Sequence, residues 1–132
     1  MNLYTYGSLR LQKIWAYVVG RTFETRTAVV ADHVALKVIG ESYPGLVARP
    51  GEQTTGLVYL DVDTASLRTL DLFEGDFYER VPITARLENG DHLECDAYRV
   101  HPANHNLLLE ERWDFDEFRR SLAEGFIDDY VK

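Results

Sequence analysis

One carboxylate in this chain of 132 residues has neighbours that would suit it to carry a proton near neutral pH. Glu74 lies in the segment 70–80, where a helical pattern ends and a strand pattern begins. Leu72, Phe73 and Phe77 surround it with apolar side chains. Because loss of water and the negative end of a helix both disfavour the charged form, we expect a raised pKa for Glu74. Glu74 is therefore a candidate general acid and base.

A purely structural interpretation of Glu74 stays open from this segment alone. Glu74 would then be a solvated residue of the last helical turn. Gly75 would end that helix in the left-handed conformation, which glycine adopts without strain. Acidic residues at helix ends are common, so the position by itself does not assign chemistry to the side chain.

A second segment could bind an anion. Tyr6-Gly7-Ser8-Leu9 turns out of a short predicted strand over residues 2–6. A Gly-Ser turn can leave backbone N–H groups free, because glycine lets the backbone approach a ligand closely. The alternative is a plain turn in which Ser8 caps the following helix.

Periodicity and turn residues predict the elements that must position these two segments. The helix that carries Glu74 begins at Asp63 or Thr64. The elements before it are a short amphipathic helix between 11 and 20, one or two strands between 21 and 39, turns at 43–46 and 49–52, and a strand over 55–62.

A hairpin is predicted around Glu88-Asn89-Gly90-Asp91. A two-residue loop would place apolar residues of one strand beside polar residues of the other. A three-residue loop over 88–90 avoids this and gives one buried face. It pairs Ala85 with Leu93, Ile83 with Cys95, Val81 with Ala97, and Glu79 with Arg99.

The final predicted element is a helix over about residues 114–130. Asp114 and Glu117 have the spacing of a capping box, and an apolar stripe follows them. The length of the chain predicts a single domain over residues 1–132.

Composition narrows the classes of partner. The formal net charge of −8 makes nucleic acid an unsuitable partner, because phosphate binding needs a clustered basic surface. One cysteine fits a reducing compartment, and no apolar run approaches membrane-spanning length. We therefore expect a cytoplasmic protein that binds a small molecule and neither nucleic acid nor a membrane.

Four segments together resemble a known family. They are Tyr6 to Leu9, Tyr43 to Leu46, Gly56 to Tyr59, and residues 70–80 with Leu70-Asp71, Glu74-Gly75, Tyr78 and Arg80. In this order and spacing they resemble the γ-glutamylcyclotransferase-like superfamily, in the branch of γ-glutamylamine cyclotransferase and the plant avirulence-induced proteins. The resemblance covers about residues 2–100.

The resemblance implies an α+β fold, with a small mixed β-barrel, surrounding helices and a cavity between the Tyr6–Leu9 loop and Glu74. It implies release of 5-oxoproline from a γ-glutamyl amine or γ-glutamyl amino acid, by attack of the substrate's own α-amine on its γ-carbonyl carbon. This is a transferase reaction of the acyltransferase or lyase-type cyclisation class, and it requires no metal or organic cofactor. Glu74 would take a proton from the amine and return it to the leaving amine. The N–H groups of Gly7, Ser8 and Leu9 would hold a carboxylate or oxyanion.

Four more residues follow as candidate substrate contacts: Tyr6, Tyr43, Tyr78 and Arg80. The hairpin register places Tyr78 and Arg80 on the face opposite Val81, where they either line the site or lie in solvent. Two alternatives to the enzyme stay open. One is a binding module of the same fold without turnover, and the other is an interaction domain in which Glu74 is structural.

Overall fold

The computed structural model describes residues 1–121, which form a β-sheet with helices around it. The strands are β1 (Leu3–Thr5), β2 (Thr25–Val38), β3 (Pro44–Tyr59), β4 (Tyr78–Leu87), β5 (His92–Val100) and β6 (Leu108–Arg112). The α-helices are α1 (Gln12–Val19), α2 (Thr64–Glu74) and α3 (Phe115–Ser121), and short 3-10 turns cover Ser8–Arg10, Gly75–Phe77 and Pro102–Leu107.

Five of the strands close into a barrel. Their order is β3-β1-β5-β4-β2, and β2 pairs again with β3 to complete the ring. The pair of β1 and β5 is parallel, whereas the other pairs in the ring are antiparallel. β6 adds to β2 outside the ring. The predicted α+β fold with a small mixed barrel is therefore confirmed.

Alternation along the strands separates a core inside the barrel from a core under the helices, and a third, smaller cluster contains Val34, Leu36, Val47 and Val100. One face fills the barrel with side chains such as Tyr4, Val30, Leu46 and Val58. The opposite faces of β1, β3 and β5 pack against the helices through Leu3, Tyr59 and Tyr98, together with Ile14, Trp15, Leu67, Leu70 and Phe118. Trp15 of α1 stacks on Tyr59 of β3 with ring centroids 3.6 Å apart, which seats α1 on the barrel wall.

The β4–β5 hairpin has the predicted three-residue loop. Ala85 pairs with Leu93, Ile83 with Cys95, Val81 with Ala97, and Glu79 with Arg99. Gly90 in the loop has a φ of 92°. The hydrophobic pattern selected this register because the two-residue alternative would have buried polar side chains.

Two predicted loops are instead parts of strands. Residues 43–46 are not a turn, because β3 begins at Pro44, which pairs with Lys37 of β2. Residues 49–52 form a bulge within β3, opposite Asp32 in its partner strand. The Gly51 N–H donates to Asp32 Oδ1 at 2.9 Å and ties the bulge to β2. Pro44 begins the strand and Gly51 lies in the bulge. Proline and glycine are typical of these positions as well as of turns.

The ends of the helices decide where the chain turns. Asp63 caps α2 by accepting a hydrogen bond from the Ser66 N–H, as one of the two predicted alternatives requires. Asp114 likewise accepts from the Glu117 N–H at 2.9 Å, so α3 begins as predicted. The predicted continuation of this helix to residue 130 lies outside the described residues.

Within residues 1–121 no helix is both long and apolar enough to cross a membrane.

Candidate active site

A cavity of about 190 Å³ lies where one end of the barrel meets the end of α2. We name it the glutamate cavity. It brings together the segment after β1, the start of β3, the end of α2 and parts of β4 and β5. Its lining residues are Tyr4, Thr5, Tyr6, Gly7, Ser8, Leu9, Tyr43, Pro44, Phe73, Glu74, Phe77, Tyr78 and Tyr98.

The loop from Gly7 to Leu9 forms one wall and presents backbone donors. Ser8 does not cap α1, because Leu11 occupies the N-cap position of that helix. Within residues 1–121, the Ser8 and Leu9 N–H groups donate to no backbone carbonyl. The Tyr59 hydroxyl donates to the Leu9 carbonyl at 2.9 Å and fixes the loop to β3. The loop can therefore offer unpaired N–H groups to an anion.

Tyrosine hydroxyls hold the other walls in place. The Tyr6 hydroxyl donates to the Tyr98 carbonyl at 2.5 Å and accepts from the Leu46 N–H at 3.2 Å. The Tyr78 hydroxyl donates to the Pro44 carbonyl at 2.6 Å. These bonds connect the segment after β1 with β5 and β3, and connect β4 with β3, so the tyrosines fix parts of the cavity wall that lie far apart in sequence.

Glu74 is the last residue of α2, and it lines the cavity. The helix ends there because Gly75 has a φ of 69° and a ψ of −161°. This is not the left-handed helical conformation that the purely structural interpretation of Glu74 assumed, but a region that is almost restricted to glycine. It redirects the chain into β4 and leaves the Glu74 side chain at the cavity.

The Glu74 side chain is half-buried, and its carboxyl is favoured in the neutral form. Burial, and then the negative charge of Asp71, raise its pKa to about 8. The raised pKa agrees with the sequence-based prediction, but one of the predicted causes is wrong. Leu72 is 85% exposed and cannot desolvate Glu74, whereas Phe73 and Phe77 do line the cavity. α2 turns Leu72 outward, away from the core side that buries Leu70.

A charged network lies behind the glutamate. Asp71, one helical turn before Glu74, accepts a hydrogen bond from the Tyr98 hydroxyl at 2.6 Å. Arg80 donates through Nε to Asp71 at 3.0 Å and through Nη1 to Asp96 at 2.6 Å. These donors fix the Asp71 carboxylate beside the cavity. The network thereby keeps a negative charge close to Glu74, which disfavours ionisation of Glu74.

Seven of the eight site residues that the sequence predicted line this one cavity. Tyr78 lies at the cavity, and the ring of Tyr43 contacts it with centroids 6.4 Å apart. Arg80 is the exception, because Asp71 and Asp96 hold its guanidinium outside the lining set. Sequence analysis missed Tyr98 and Thr5, which no local motif distinguishes from ordinary strand residues.

The raised pKa of Glu74 predicts how stability depends on pH. The folded protein holds the Glu74 proton up to about pH 8, whereas the unfolded chain releases it near pH 4.5. Wild type should therefore lose stability relative to Glu74→Gln as pH rises from about 5 to 9, and the two should match below this range. We expect a difference of about 2 kcal/mol at pH 9 in urea unfolding, after allowance for the half-buried position.

The matched control for this effect is Asp76→Asn, an exposed carboxyl two residues further along. It should not reproduce the pH-dependent difference. A gap between wild type and Glu74→Gln that is constant from pH 5 to pH 9 would show that Glu74 titrates normally.

Comparison with known proteins identifies the family. A family model described as "Gamma-glutamyl cyclotransferase, AIG2-like" matches residues 3–115. The chain belongs to this family. All the residues that line the glutamate cavity fall within the matched region.

Plant members of the gamma-glutamyl cyclotransferase, AIG2-like family are similar to the chain over its whole length. Protein AIG2 C of Arabidopsis thaliana is 30% identical over 132 residues, which cover 99% of this chain and 79% of that protein. A solution structure of an Arabidopsis thaliana protein is 29% identical and superposes with a TM-score of 0.76, covering 98% of this chain and 79% of that one.

The fold is also that of a solved gamma-glutamyl cyclotransferase. That structure superposes with a TM-score of 0.68 over 76% of this chain and 66% of its own, at 17% identity. At this identity the likeness concerns the fold alone. The roles of individual residues therefore have to be argued from the cavity itself.

Proposed function

We propose that this protein is a γ-glutamylcyclotransferase, which releases 5-oxoproline from a γ-glutamyl compound, and that Glu74 is its general base and acid. One observation carries the proposal. A half-buried carboxyl with a pKa of about 8 shares a small cavity with the N–H groups of Ser8 and Leu9, which donate to no backbone carbonyl among the described residues. Membership of the family supports the reaction class.

The size of the cavity suits the substrate. Its volume of about 190 Å³ is below the range of roughly 300–1,000 Å³ that is typical of pockets for drug-sized ligands. A γ-glutamyl unit is the size of one amino acid, and it carries a carboxylate that free N–H groups can bind. The tyrosine walls provide a rigid surface against which the flexible glutamyl chain can fold toward ring closure.

The proposed reaction needs one proton to move between two nitrogen atoms. The neutral α-amine of the substrate attacks the γ-carbonyl carbon and forms the new C–N bond of the ring. The Glu74 carboxylate accepts a proton from the attacking nitrogen and then gives it to the leaving nitrogen as the old C–N bond breaks. A pKa near 8 suits both steps, because the group must be a base first and an acid second.

The backbone donors have the second role in the proposal. Gly7, Ser8 and Leu9 would bind the substrate carboxylate or the oxygen that becomes negative during attack. Tyr6, Tyr43 and Tyr78 would form the walls around the glutamyl chain. Arg80 would act only through Asp71, because its guanidinium is already engaged there.

A panel assay tests the proposed function. Purified protein would be incubated with γ-glutamyl amines, γ-glutamyl dipeptides and glutathione, and 5-oxoproline would be measured by mass spectrometry. Release from at least one class of compound is expected. Binding of the same compounds, measured by calorimetry without any release, would instead indicate a binding module that has kept the cavity. If the protein neither released 5-oxoproline nor bound any of these compounds, the proposal would be refuted and a structural role of Glu74 would be favoured.

Asp71→Asn should shift the pH dependence of turnover. Loss of the Asp71 charge lowers the pKa of Glu74, so the base form appears at lower pH. The rising limb of the kcat profile should move down by about one pH unit. Asparagine can still accept a hydrogen bond from the Tyr98 hydroxyl, which limits changes in geometry.

Asp76→Asn again provides the control, since Asp76 is not a cause of the Glu74 shift. Its kcat profile should coincide with that of wild type. An unchanged midpoint in folded Asp71→Asn would contradict the electrostatic role given to Asp71.

A further inference from the structure

A second cavity borders the first and contains an arginine that forms no ion pair with any residue between 1 and 121. This Arg10 cavity has a volume of about 370 Å³ and lies between the barrel and the start of α3. Tyr6 lines both cavities. Arg10 is half-buried in it and directly follows Leu9, at the end of the 3-10 turn Ser8–Arg10.

The other charged groups of the Arg10 cavity are already engaged. Arg112 forms an ion pair with Glu52. Asp116 pairs with Arg119 at 3.2 Å, and Asp114 caps α3. No ion pair among the described residues includes Arg10.

Arg10 is nevertheless held in a defined place. Its guanidinium carbon lies 4.0 Å from the centroid of the Phe115 ring, a cation–π geometry that positions the planar group. Burial lowers the pKa of Arg10, but an arginine stays charged at any physiological pH. No residue that the structure describes accepts a side-chain hydrogen bond from Arg10. A half-buried guanidinium held on an aromatic ring in this way is a suitable receptor for a planar carboxylate.

The surrounding charges favour a ligand with one negative charge. Asp114 and Asp116 line the same cavity and would repel a phosphate with two charges. Gln53, Thr54 and Thr55 provide neutral polar groups around the arginine. A monocarboxylate therefore fits the balance of charge better than a phosphate group.

We propose that the Arg10 cavity is a subsite for a carboxylate, and that the carboxylate belongs to the group joined to the γ-glutamyl unit. The second part rests on the proposed function, and it selects γ-glutamyl amino acids over γ-glutamyl amines as substrates. The 3-10 turn rises about 2 Å per residue, which places Arg10 about 6 Å along the turn from Gly7. Tyr6 lines both cavities, so a substrate whose leaving group extends past Tyr6 from the glutamate cavity would enter the Arg10 cavity.

The test compares two substrates that differ only in the carboxylate. γ-Glutamylalanine and γ-glutamylalaninamide would be assayed with wild type, Arg10→Gln and Arg86→Gln. Wild type should prefer the acid by about 10- to 100-fold in kcat/KM. Arg10→Gln should abolish this preference through a higher KM for the acid, with kcat and the amide reaction nearly unchanged. Arg86→Gln is the matched control, because Arg86 is an exposed arginine of β4 that lines neither cavity.

A binding measurement decides the subsite independently of turnover. Calorimetry would compare alanine with alaninamide, and γ-glutamylalanine with its amide, on wild type and Arg10→Gln. Binding of the acids that is lost in Arg10→Gln supports the subsite even if no 5-oxoproline is released, in which case only the proposed function fails. Binding of free alanine without any acid preference in turnover would assign the subsite to a separate carboxylate and overturn the substrate assignment. Equal binding of acids and amides would overturn the subsite itself.

Discussion

Glu74→Gln is expected to reduce 5-oxoproline release by about 10³-fold, the scale on which a positioned general acid and base contributes. Glutamine keeps the shape of the side chain and can still donate or accept a hydrogen bond, but it cannot take the proton of the attacking amine. The side chain has no described hydrogen-bonded partner that the change would leave unpaired. Ligand binding should therefore survive, with a Kd close to that of wild type.

Single-turnover assays of wild type, Glu74→Gln and Asp76→Asn measure this effect. Asp76→Asn is the same carboxyl-to-amide change in the neighbouring 3-10 turn, outside the glutamate cavity, and it should retain wild-type turnover. Circular dichroism and thermal unfolding would establish that each variant is folded. A folded Glu74→Gln protein with more than about a tenth of wild-type turnover would exclude Glu74 as the proton carrier.

Gly56→Ala should destabilise the fold by about 3 kcal/mol or more. A Cβ atom at Gly56 would lie 2.2 Å from the Thr5 carbonyl oxygen and 2.7 Å from ring carbons of Tyr4. The first contact is with backbone, so no side-chain rotation relieves it. β1 would have to separate from β3, and β1 supplies Tyr4 and Thr5 to the wall of the glutamate cavity.

Thr55→Ala is the matched control, a neighbouring substitution to alanine at an exposed position of the same strand. It should cost less than about 1 kcal/mol. Urea unfolding followed by tryptophan fluorescence would measure both variants, since Trp15 packs on Tyr59 of β3. If Gly56→Ala proved as stable as Thr55→Ala, the tight contact between β1 and β3 would be contradicted.

The local parts of the fold were predictable where one physical rule dominated. The hairpin register followed from the two-residue period of the strands, because only one pairing buried Ile83 and Cys95 together. The start of β3 was mispredicted as a turn, since Pro44 and Gly45 are common in both settings. Their strand conformation depends on pairing with Leu36 and Lys37, a contact that no local pattern records.

The sequence predicted most of the candidate residues that line the glutamate cavity, but it did not predict the charged contacts beside the cavity. Glu74 and the Gly7 loop could be identified because their sequences carry a family resemblance and a specific chemistry. The connection from Arg80 through Asp71 to Tyr98 could not, because it joins β4, α2 and β5 across the barrel wall. The alternation of side chains along β4 shows on which face Arg80 lies, but it does not show which residue Arg80 contacts. Arg80 was therefore named as a candidate substrate contact, although it binds Asp71 and Asp96.

The proposed cyclisation requires the substrate's own α-amine to be the nucleophile. The most direct test is to identify the products from a γ-glutamyl substrate and from its α-N-acetyl analogue, with 5-oxoproline, glutamate and free amine measured together. Cyclisation should give equal amounts of 5-oxoproline and free amine, no glutamate, and no reaction of the blocked analogue. Release of glutamate, or turnover of the blocked analogue, would mean that water attacks instead and would contradict the cyclisation.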